Sequence, residues 1–458
     1  MVKKPDKASF RDPDGFIFRY QNSVFRQVNP TYKENYGHLM GSDLYEELVK
    51  SNLLVKHKEV KLRSIKDSNS YKIIKPAQVP FVSYPYEWCF SELKDAALAT
   101  IKIQKLALEH EMILKDASSY NIQFISGKPL LIDTLSFEKY EEGKPWIAYR
   151  QFCQHFLAPL LLASFVDVRL INLLRFYIDG IPLDLTSKLL PKFTYLSPSL
   201  LFHVHLHAKA QTRLNQKGKK SKVIGKFGRS ALYELIESLE NIVLKLSLKK
   251  KESTWVNYYK DDSYSSVAFN HKVRIVEKIL NEVKPKTIWD LGANIGVFSF
   301  LASRKKIETI AFDNDPVSVE KSYIEMKKRG DTHFLPLVSE LTNPSPSQGF
   351  ANEERMSLIA RGPTDIVFAL ALVHHLSIAA NIPFKILAEF LSKISTRLII
   401  EFVPKTDKKV QLMLSLRKDV FDKYNQDNFE KQFSKYFTIE RKTKITNSQR
   451  LIYVMRKR

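Results

Sequence analysis

A glycine-rich turn near residue 290 carries the residues of this chain that are best suited to chemistry. Asp290, Gly292 and Gly296 form a D-x-G-x-x-x-G pattern, with Asn294 between the glycines, where an apolar strand leads into a helix. Glycine lets a backbone bend sharply and approach a ligand closely, and the following helix presents unpaired N–H groups. The next apolar strand ends at Asp313, whose carboxylate can accept hydrogen bonds from both hydroxyls of a ribose. Together these features predict a site for a nucleoside cofactor.

Three further polar residues follow apolar runs. Glu340 comes after the run 333–338, and His374 and His375 come after the run 365–373. Ligands of parallel sheets bind outside the carboxyl ends of the strands, so we expect Glu340 at the cofactor and the histidines near an acceptor. A neutral imidazole can take a proton from an acceptor, which makes either histidine a candidate general base. A structural histidine held by hydrogen bonds is the alternative.

The elements that position these residues alternate between strand and helix. Apolar strands at 286–291, 309–312, 333–338, 365–373 and 397–402 are separated by helical stretches such as 316–329 and 383–394, and 450–455 is the expected last strand. A nearly continuous apolar run such as 365–373 is typical of a parallel strand covered on both faces. The alternation predicts an α/β fold with a doubly wound, Rossmann-like sheet.

The turn lacks the G-x-G-x-x-G fingerprint and the phosphate loop, and it resembles the class I S-adenosylmethionine-dependent methyltransferases. That resemblance implies S-adenosyl-L-methionine as cofactor and methylation of an acceptor. It also implies that Asp290 lies near the methionine ammonium, that the glycines pass beneath the cofactor, and that Asp313 binds the ribose. Glu340 matches by position the acidic residue placed against the adenine amine. No cluster of histidines, cysteines and carboxylates suggests a metal, and none is expected.

The first half of the chain has a different pattern. Two short strands between Gly15 and Val28 are followed by a helix-like stretch at 39–54 and a long amphipathic helix at 90–110. Asp116 and Asn121 then have the D-x-x-x-x-N spacing of a phosphotransferase catalytic loop, and Asp133 ends a later strand. This order resembles a kinase-like fold within an α+β domain.

Several departures from the kinase sequence pattern argue against an active kinase in the first half of the chain. No glycine-rich loop is visible near Gly15, Leu114 and Lys115 stand where a histidine is usual, and Arg26 is in the approximate place of the strand lysine. Asp116, Asn121 and Asp133 are equally suited to turns and caps. A bifunctional or ATP-binding kinase-like protein is therefore the alternative to a methyltransferase alone.

Length and composition suit two domains, which we place at residues 1–250 and 251–458 of the 458-residue chain. The two cysteines imply no disulfide framework, and no apolar run is long enough to cross a bilayer, so we expect a soluble cytoplasmic protein without a membrane span. The formal charge is +23, with dense lysines at 217–226 and 249–251. A lysine-rich solvated surface accounts for that charge, and a basic nucleic-acid-binding module is a further alternative.

Over nearly its full length the chain resembles a family of bacterial two-part methyltransferases that includes a nodulation host-specificity methyltransferase. The residues that carry this resemblance lie at 80–88, 114–121, 132–138, 145–146, 290–296, 361–363, 369–375 and 400–404. The family implies a transferase but leaves the acceptor unidentified. We expect the first domain to select or hold that acceptor and to supply one wall of its pocket near His374, His375 and Glu401. Aromatic residues at Trp255, Tyr258, Tyr259 and Tyr264 are candidates for a lid or for a packed domain junction.

Overall fold

The structure is a computed structural model that describes residues 5–21, 23–62, 70–209, 228–248, 265–415 and 418–458. The aromatic connector at 255–264 and the lysine runs at 217–226 and 249–251 lie outside the described residues. The chain forms two compact units. The first comprises Met1–Lys250 together with Gly349–Arg355, and the second comprises Lys251–Gln348 and Met356–Arg458.

The first unit opens with an antiparallel sheet of order β1-β2-β4-β3. Its strands are β1 (Gly15–Tyr20), β2 (Ser23–Val28), β3 (His57–Glu59) and β4 (Lys72–Pro76). Between β2 and β3 lie two α-helices, Lys33–Gly41 and Leu44–Lys50. The single helix-like stretch predicted at 39–54 is therefore broken, because Asp43 has a left-handed backbone with φ of 65°.

The long helix Phe90–Glu109 buries an apolar face and leads to two short antiparallel strand pairs. The paired strands are β5 (Met112–Leu114) with β8 (Phe137–Lys139), and β6 (Ile122–Ile125) with β7 (Lys128–Leu131). The order of strands, long helix, D-x-x-x-x-N loop and hairpin is the order expected of a kinase-like fold, so the first unit is α+β. Its other helices in the described residues are Pro30–Tyr32 (3-10), Pro85–Glu87 (3-10), Ser119–Asn121 (3-10), Tyr149–Phe152, Cys153–Leu157 (π), Ala158–Phe165, Val168–Arg175 (3-10), Leu183–Leu189, Lys192–Leu196 (3-10), Pro198–Leu200, Leu201–Leu206 (π), Arg229–Lys245 and Phe350–Asn352 (3-10).

The segment Gly349–Arg355 belongs to the first unit although the chain on both sides of it belongs to the second. The Glu354 carboxylate is almost fully buried and accepts hydrogen bonds from Nε and Nη2 of Arg11 at 2.9 and 2.8 Å. The Arg355 guanidinium lies 4.5 Å from the ring centre of Tyr120. Nothing in the composition of the segment predicts this placement.

The second unit is built on a seven-stranded sheet of order β11-β10-β9-β12-β13-β15-β14. Six of the seven strands run in the same direction, and β15 runs antiparallel to both of its neighbours. The strands are β9 (Thr287–Leu291), β10 (Glu308–Asp313), β11 (Phe334–Val338), β12 (Thr364–Ala369), β13 (Ser395–Phe402), β14 (Phe437–Lys444) and β15 (Leu451–Lys457). The predicted doubly wound, Rossmann-like α/β fold is confirmed, although β14 was not predicted and β12 ends before residue 373.

Helices connect the strands of this sheet. Their bounds are Ser266–Val283, Val297–Ser303, Pro316–Arg329, Leu358–Arg361, His375–Ala379 (π), Phe384–Ile394, Lys408–Ser415 and Gln426–Phe433. The first of them buries Val276, Ile279 and Leu280 in a core that also contains Phe298 and Phe368. Among the described residues, no helix has the length and apolarity that a membrane crossing needs.

Candidate functional site

The turn after β9 has a backbone that only glycine adopts without strain at two positions. Gly292 and Gly296 have φ of 72° and 77°, and a Cβ at either would lie 3.0 Å from a side-chain carbon, of Leu372 and Phe334 respectively. The N–H groups of Gly292 and Ala293 donate to the Phe312 carbonyl at 2.8 and 3.0 Å. These two hydrogen bonds hold the turn against the end of β10.

Asp290 lies under this turn. Its side chain is buried, and Oδ2 accepts a 2.6 Å hydrogen bond from Ser299 Oγ on the following helix. Burial raises the pKa of Asp290 to about 6. The residue does not line the cavity described below, so its visible contact is with the turn and helix rather than with a ligand space.

Asp313 ends β10 and faces the same turn. Its Oδ2 accepts from the Asn294 N–H at 2.7 Å, and its Oδ1 accepts from the Asp315 N–H at 2.9 Å. A carboxylate offers about four lone-pair positions, so each oxygen keeps capacity for a further donor. Burial raises the pKa of Asp313 to about 6.

Glu340 follows β11 and is held by its neighbours. Its Oε1 accepts from the N–H and Oγ1 of Thr342 at 3.0 and 2.9 Å, and its Oε2 accepts from Asn314 Nδ2 at 3.1 Å. The carboxylate is therefore fixed at the exposed rim of the site, where it can meet a polar donor.

These groups converge on one cavity of about 350 Å³ at the carboxyl edge of the sheet. That volume is within the range of small-molecule sites. Of the residues predicted from the sequence, the cavity is lined by Gly292, Asn294, Asp313, Glu340 and His375. Asp290, Gly296 and His374 are not part of its lining. Apolar side chains of the segment after β12 complete the wall, namely Leu370, Ala371, Leu372, Leu376, Ala379 and Ala380.

The two histidines differ in their surroundings. Burial lowers the pKa of His375, which lines the cavity, to about 4, so its imidazole is neutral at pH 7. His374 is fully buried, and neither of its ring nitrogens has a hydrogen-bond partner among the described residues. Burial also lowers the pKa of His374. The rings lie 4.2 Å apart, so His374 packs behind the residue that faces the cavity.

A buried ionic network lies beneath the same edge of the sheet. Lys272 Nζ is 2.7 Å from Glu401 Oε2, and Arg450 Nη1 is 3.3 Å from Glu401 Oε1. Arg450 also binds Asp407 through Nε and Nη2, at 2.7 and 3.0 Å. Lys272, Glu401 and Arg450 are all at most 2% exposed. Burial lowers the pKa of Lys272.

Sequence reasoning singled out Glu401 but missed Lys272 and Arg450. The available signal was a lysine on an otherwise apolar helix face and a glutamate inside an apolar strand. Each is costly to bury without a partner of opposite charge. Which charges pair depends on the packing of the helix against the sheet, which no spacing rule supplies.

In the first unit, two of the three residues of the phosphotransferase-like pattern are held by local contacts, whereas Asn121 Nδ2 is buried without a hydrogen-bond partner among the described residues. Asp116 Oδ1 accepts from the Ser118 N–H at 3.0 Å, which is a turn contact. Asp133 Oδ1 accepts from the Leu135 N–H at 2.9 Å and lies 3.1 Å from Arg26 Nη2. A guanidinium therefore stands against the carboxylate that would bind magnesium. Within the described ranges, no three histidines, cysteines or carboxylates are grouped to hold a metal ion.

The sheet order, with β15 reversed between β13 and β14, and the acidic strand ends around the crevice define a class I methyltransferase fold in the second unit. The chain is 32% identical to nodulation protein NoeA of Rhizobium meliloti (strain 1021) over 456 residues, which cover 97% of this chain and 94% of that protein. The chain belongs to the family of that nodulation protein. No family model matches it.

Two solved structures are also similar to parts of the chain. The N-methyltransferase NodS from Bradyrhizobium japonicum WM9 is 8% identical, with a TM-score of 0.31 over 42% of this chain and 98% of that one. The bifunctional kinase-methyltransferase WbdD is 13% identical, with a TM-score of 0.31 over 47% of this chain and 45% of that one. Likenesses this weak carry no conclusion about fold or function.

The buried network predicts the outcome of removing its central charge. We expect Glu401→Gln to lower the free energy of unfolding by about 3–5 kcal/mol, because it leaves the Lys272 ammonium buried without its counterion. Urea unfolding measures the change. The matched control is Glu440→Gln, which removes a partly exposed partner of Arg456 and should cost less than about 1 kcal/mol. Equal losses in the two variants would contradict this account of the network.

Proposed function

We propose that the protein is an S-adenosylmethionine-dependent methyltransferase whose first unit selects or holds the acceptor. The observation that carries the proposal is the Asp313 carboxylate, which lines a cavity of about 350 Å³ directly beside the glycine turn. A fixed acceptor at the end of the second strand of a doubly wound sheet suits the two hydroxyls of a ribose.

The residues present fit this cofactor. Asp313 would hold the ribose with the remaining lone pairs of its oxygens, and the Gly292 turn leaves room for close approach. Glu340 at the rim suits a donor such as the adenine amine. The cofactor supplies a methyl group on a sulfonium, which a well-aligned nucleophile can take with little acid or base assistance.

The protein contributes alignment, exclusion of water and removal of a proton. The apolar segment that includes Leu372 and Leu376 limits water around the reacting atoms. His375 is neutral at pH 7 and lines the cavity, so we assign it the role of accepting a proton from a hydroxyl or amine acceptor. His374 does not line the cavity, and its ring packs against the ring of His375.

Phosphoryl transfer is the weaker assignment for the first unit. The ion pair between Arg26 and Asp133 occupies the carboxylate that a magnesium ion would need, and Arg26 is also paired with Asp12. A nucleic-acid module gains no support, because the dense lysine runs lie outside the described residues. We therefore propose acceptor selection as the role of this unit.

The cofactor assignment is tested by Asp313→Asn. Losing the carboxylate should weaken S-adenosylmethionine binding roughly tenfold to a hundredfold, because hydrogen bonds to a charged acceptor are the stronger ones. Titration calorimetry measures the affinity. The control is Glu308→Gln at the opposite end of the same strand, which should bind as the native chain does. If the native chain itself binds neither S-adenosylmethionine nor S-adenosylhomocysteine, the assignment is wrong.

The raised pKa of Asp313 predicts the pH dependence of cofactor binding. Since this pKa is about 6 rather than 3.8, the carboxylate takes up its proton as the pH falls through 6 and loses acceptor capacity there. We expect full affinity at neutral pH and a loss of up to about tenfold per pH unit below 6. Calorimetry across this range should show the loss in the native chain and a flatter profile in Asp313→Asn. An equally steep profile in both would assign the titration to another group.

The role of the first unit is tested by a fragment of residues 251–458. We expect it to bind S-adenosylmethionine but to lose methyl transfer, because acceptor selection is assigned to the missing unit. Cell extract incubated with labelled cofactor and the full chain identifies the acceptor fraction, and the same fraction is then offered to the fragment. If the fragment transfers methyl groups at the rate of the full chain, the first unit does not select the acceptor and has a separate function.

A further inference from the structure

A buried lysine beneath the carboxyl edge of the second unit's sheet has no part in the proposed reaction. Lys272 is on the helix that precedes β9, and its side chain is buried. Its Nζ lies 4.8 Å from the ring centre of Phe298. The next residue, Ser299, donates its hydroxyl to the Asp290 carboxylate at 2.6 Å. Lys272 and Asp290 therefore meet the helix after the glycine turn at neighbouring residues.

The partners of this lysine leave part of its charge for another carboxylate. A buried ammonium is unfavourable unless charges of opposite sign compensate it. Glu401 Oε2 lies 2.7 Å from Lys272 Nζ, but Glu401 Oε1 also lies 3.3 Å from Nη1 of Arg450. One carboxylate thus faces two cations. Arg450 has a second carboxylate in Asp407, whereas Lys272 has a second one on the other side, beneath the turn.

That second carboxylate is Asp290. Burial raises the pKa of Asp290 to about 6, and both the hydrogen bond from Ser299 and the charge of Lys272 act against this rise. Asp313, at the end of β10, acts in the opposite sense, because its negative charge raises the pKa of Asp290. On the other side of β9, β12 places the apolar residue Phe368 opposite Asp290. Lys272 therefore favours the ionised form of Asp290 against burial and a neighbouring carboxylate.

The ionised form of Asp290 matters for a cation in the cavity. Asp290 lies beneath the turn whose Gly292 and Asn294 line that cavity. In the low dielectric of a protein interior, a charge acts on a ligand across a few backbone atoms without touching it. S-adenosylmethionine carries a sulfonium and an ammonium, which a carboxylate attracts and a neutral carboxyl does not. A group that favours the carboxylate form of Asp290 therefore strengthens cofactor binding.

We propose that Lys272 is a positioning residue for cofactor binding, whose ammonium, held by Glu401, supports the negative charge of Asp290 beneath the glycine turn. Lys272 does not line the cavity, so it acts through Asp290 and not by contact with the cofactor. The proposal rests on the proposed function, because it uses the positive charge of S-adenosylmethionine. It gives the buried ionic network a role in binding besides its role in stability.

The pH profile of cofactor binding by Lys272→Met tests the proposal. This variant removes the ammonium but leaves Glu401 paired with Arg450. The pKa of Asp290 should rise by about 1 or more, because a nearby opposite charge lowers a carboxyl pKa by that much. The variant should therefore lose its carboxylate at a higher pH than the native chain does. Calorimetry should give a dissociation constant roughly fivefold or more above the native one at pH 6, with the ratio approaching one above pH 8.

The ratio to the native chain removes the titration of the cofactor itself and of Asp313, which both chains share. The matched control is Lys305→Met, since Lys305 pairs with Glu277 on the same helix at 3.2 Å, and its ratio should stay at one. In a chain that carries Asp290→Asn, Lys272→Met should change the affinity less than twofold at every pH. If circular dichroism shows that Lys272→Met does not fold, Lys272→Gln takes its place, because its amide still donates to a carboxylate.

The contrary outcomes are distinct. A ratio that is equally large at every pH would mean that Lys272 serves the fold alone, and a ratio of one throughout would mean that it has no part in binding. An undiminished effect in the Asp290→Asn chain would show that the lysine acts through another group. Each of these overturns the inference while the native chain still binds S-adenosylmethionine. Absence of binding by the native chain would overturn the proposed function and the inference together.

Discussion

The cavity at the carboxyl edge of the second unit's sheet depends on one topological constraint, the reversal of strand order at β9. The chain adds β10 and β11 on one side of β9 and then crosses to the other side to form β12. The connections after β9 and β12 therefore leave the sheet in opposite directions, and a crevice opens between them. Gly292 lies on one side of this crevice and Leu372 on the other, and a Cβ on the glycine would come within 3.0 Å of the leucine side chain.

The carboxylates in the cavity and those beneath the carboxyl edge of the sheet have different kinds of partner. In the cavity, Asp313 and Glu340 are held by N–H and hydroxyl donors, so they keep lone pairs for a ligand. Beneath it, Glu401 pairs with Lys272 and Arg450, and Arg450 also binds Asp407. Carboxylates of the first unit are likewise held in ion pairs, Asp133 with Arg26 and Asp14 with Lys115.

The sequence was informative where local chemistry decides the structure. The glycine turn, the strand ending at Asp313 and the helix at 316–329 follow from residue types and apolar runs, and the structure has them there. The reversed direction of β15 was not predictable, because an apolar strand has the same pattern in either direction. Nor could spacing show that His375 lines the cavity while its neighbour His374 is buried, since the π-helix that begins at His375 sets their directions.

The placement of Gly349–Arg355 in the first unit has a consequence for how the chain is made. The Arg11 guanidinium can bind Glu354 only late in synthesis, because Glu354 follows β9, β10 and β11 in the sequence. The first unit is thus the earlier to begin folding, but it receives its last segment only after three strands of the second unit have been translated. A nascent chain stalled before residue 349 would contain three of the seven strands of the second sheet, and its Arg11 would lack the Glu354 carboxylate.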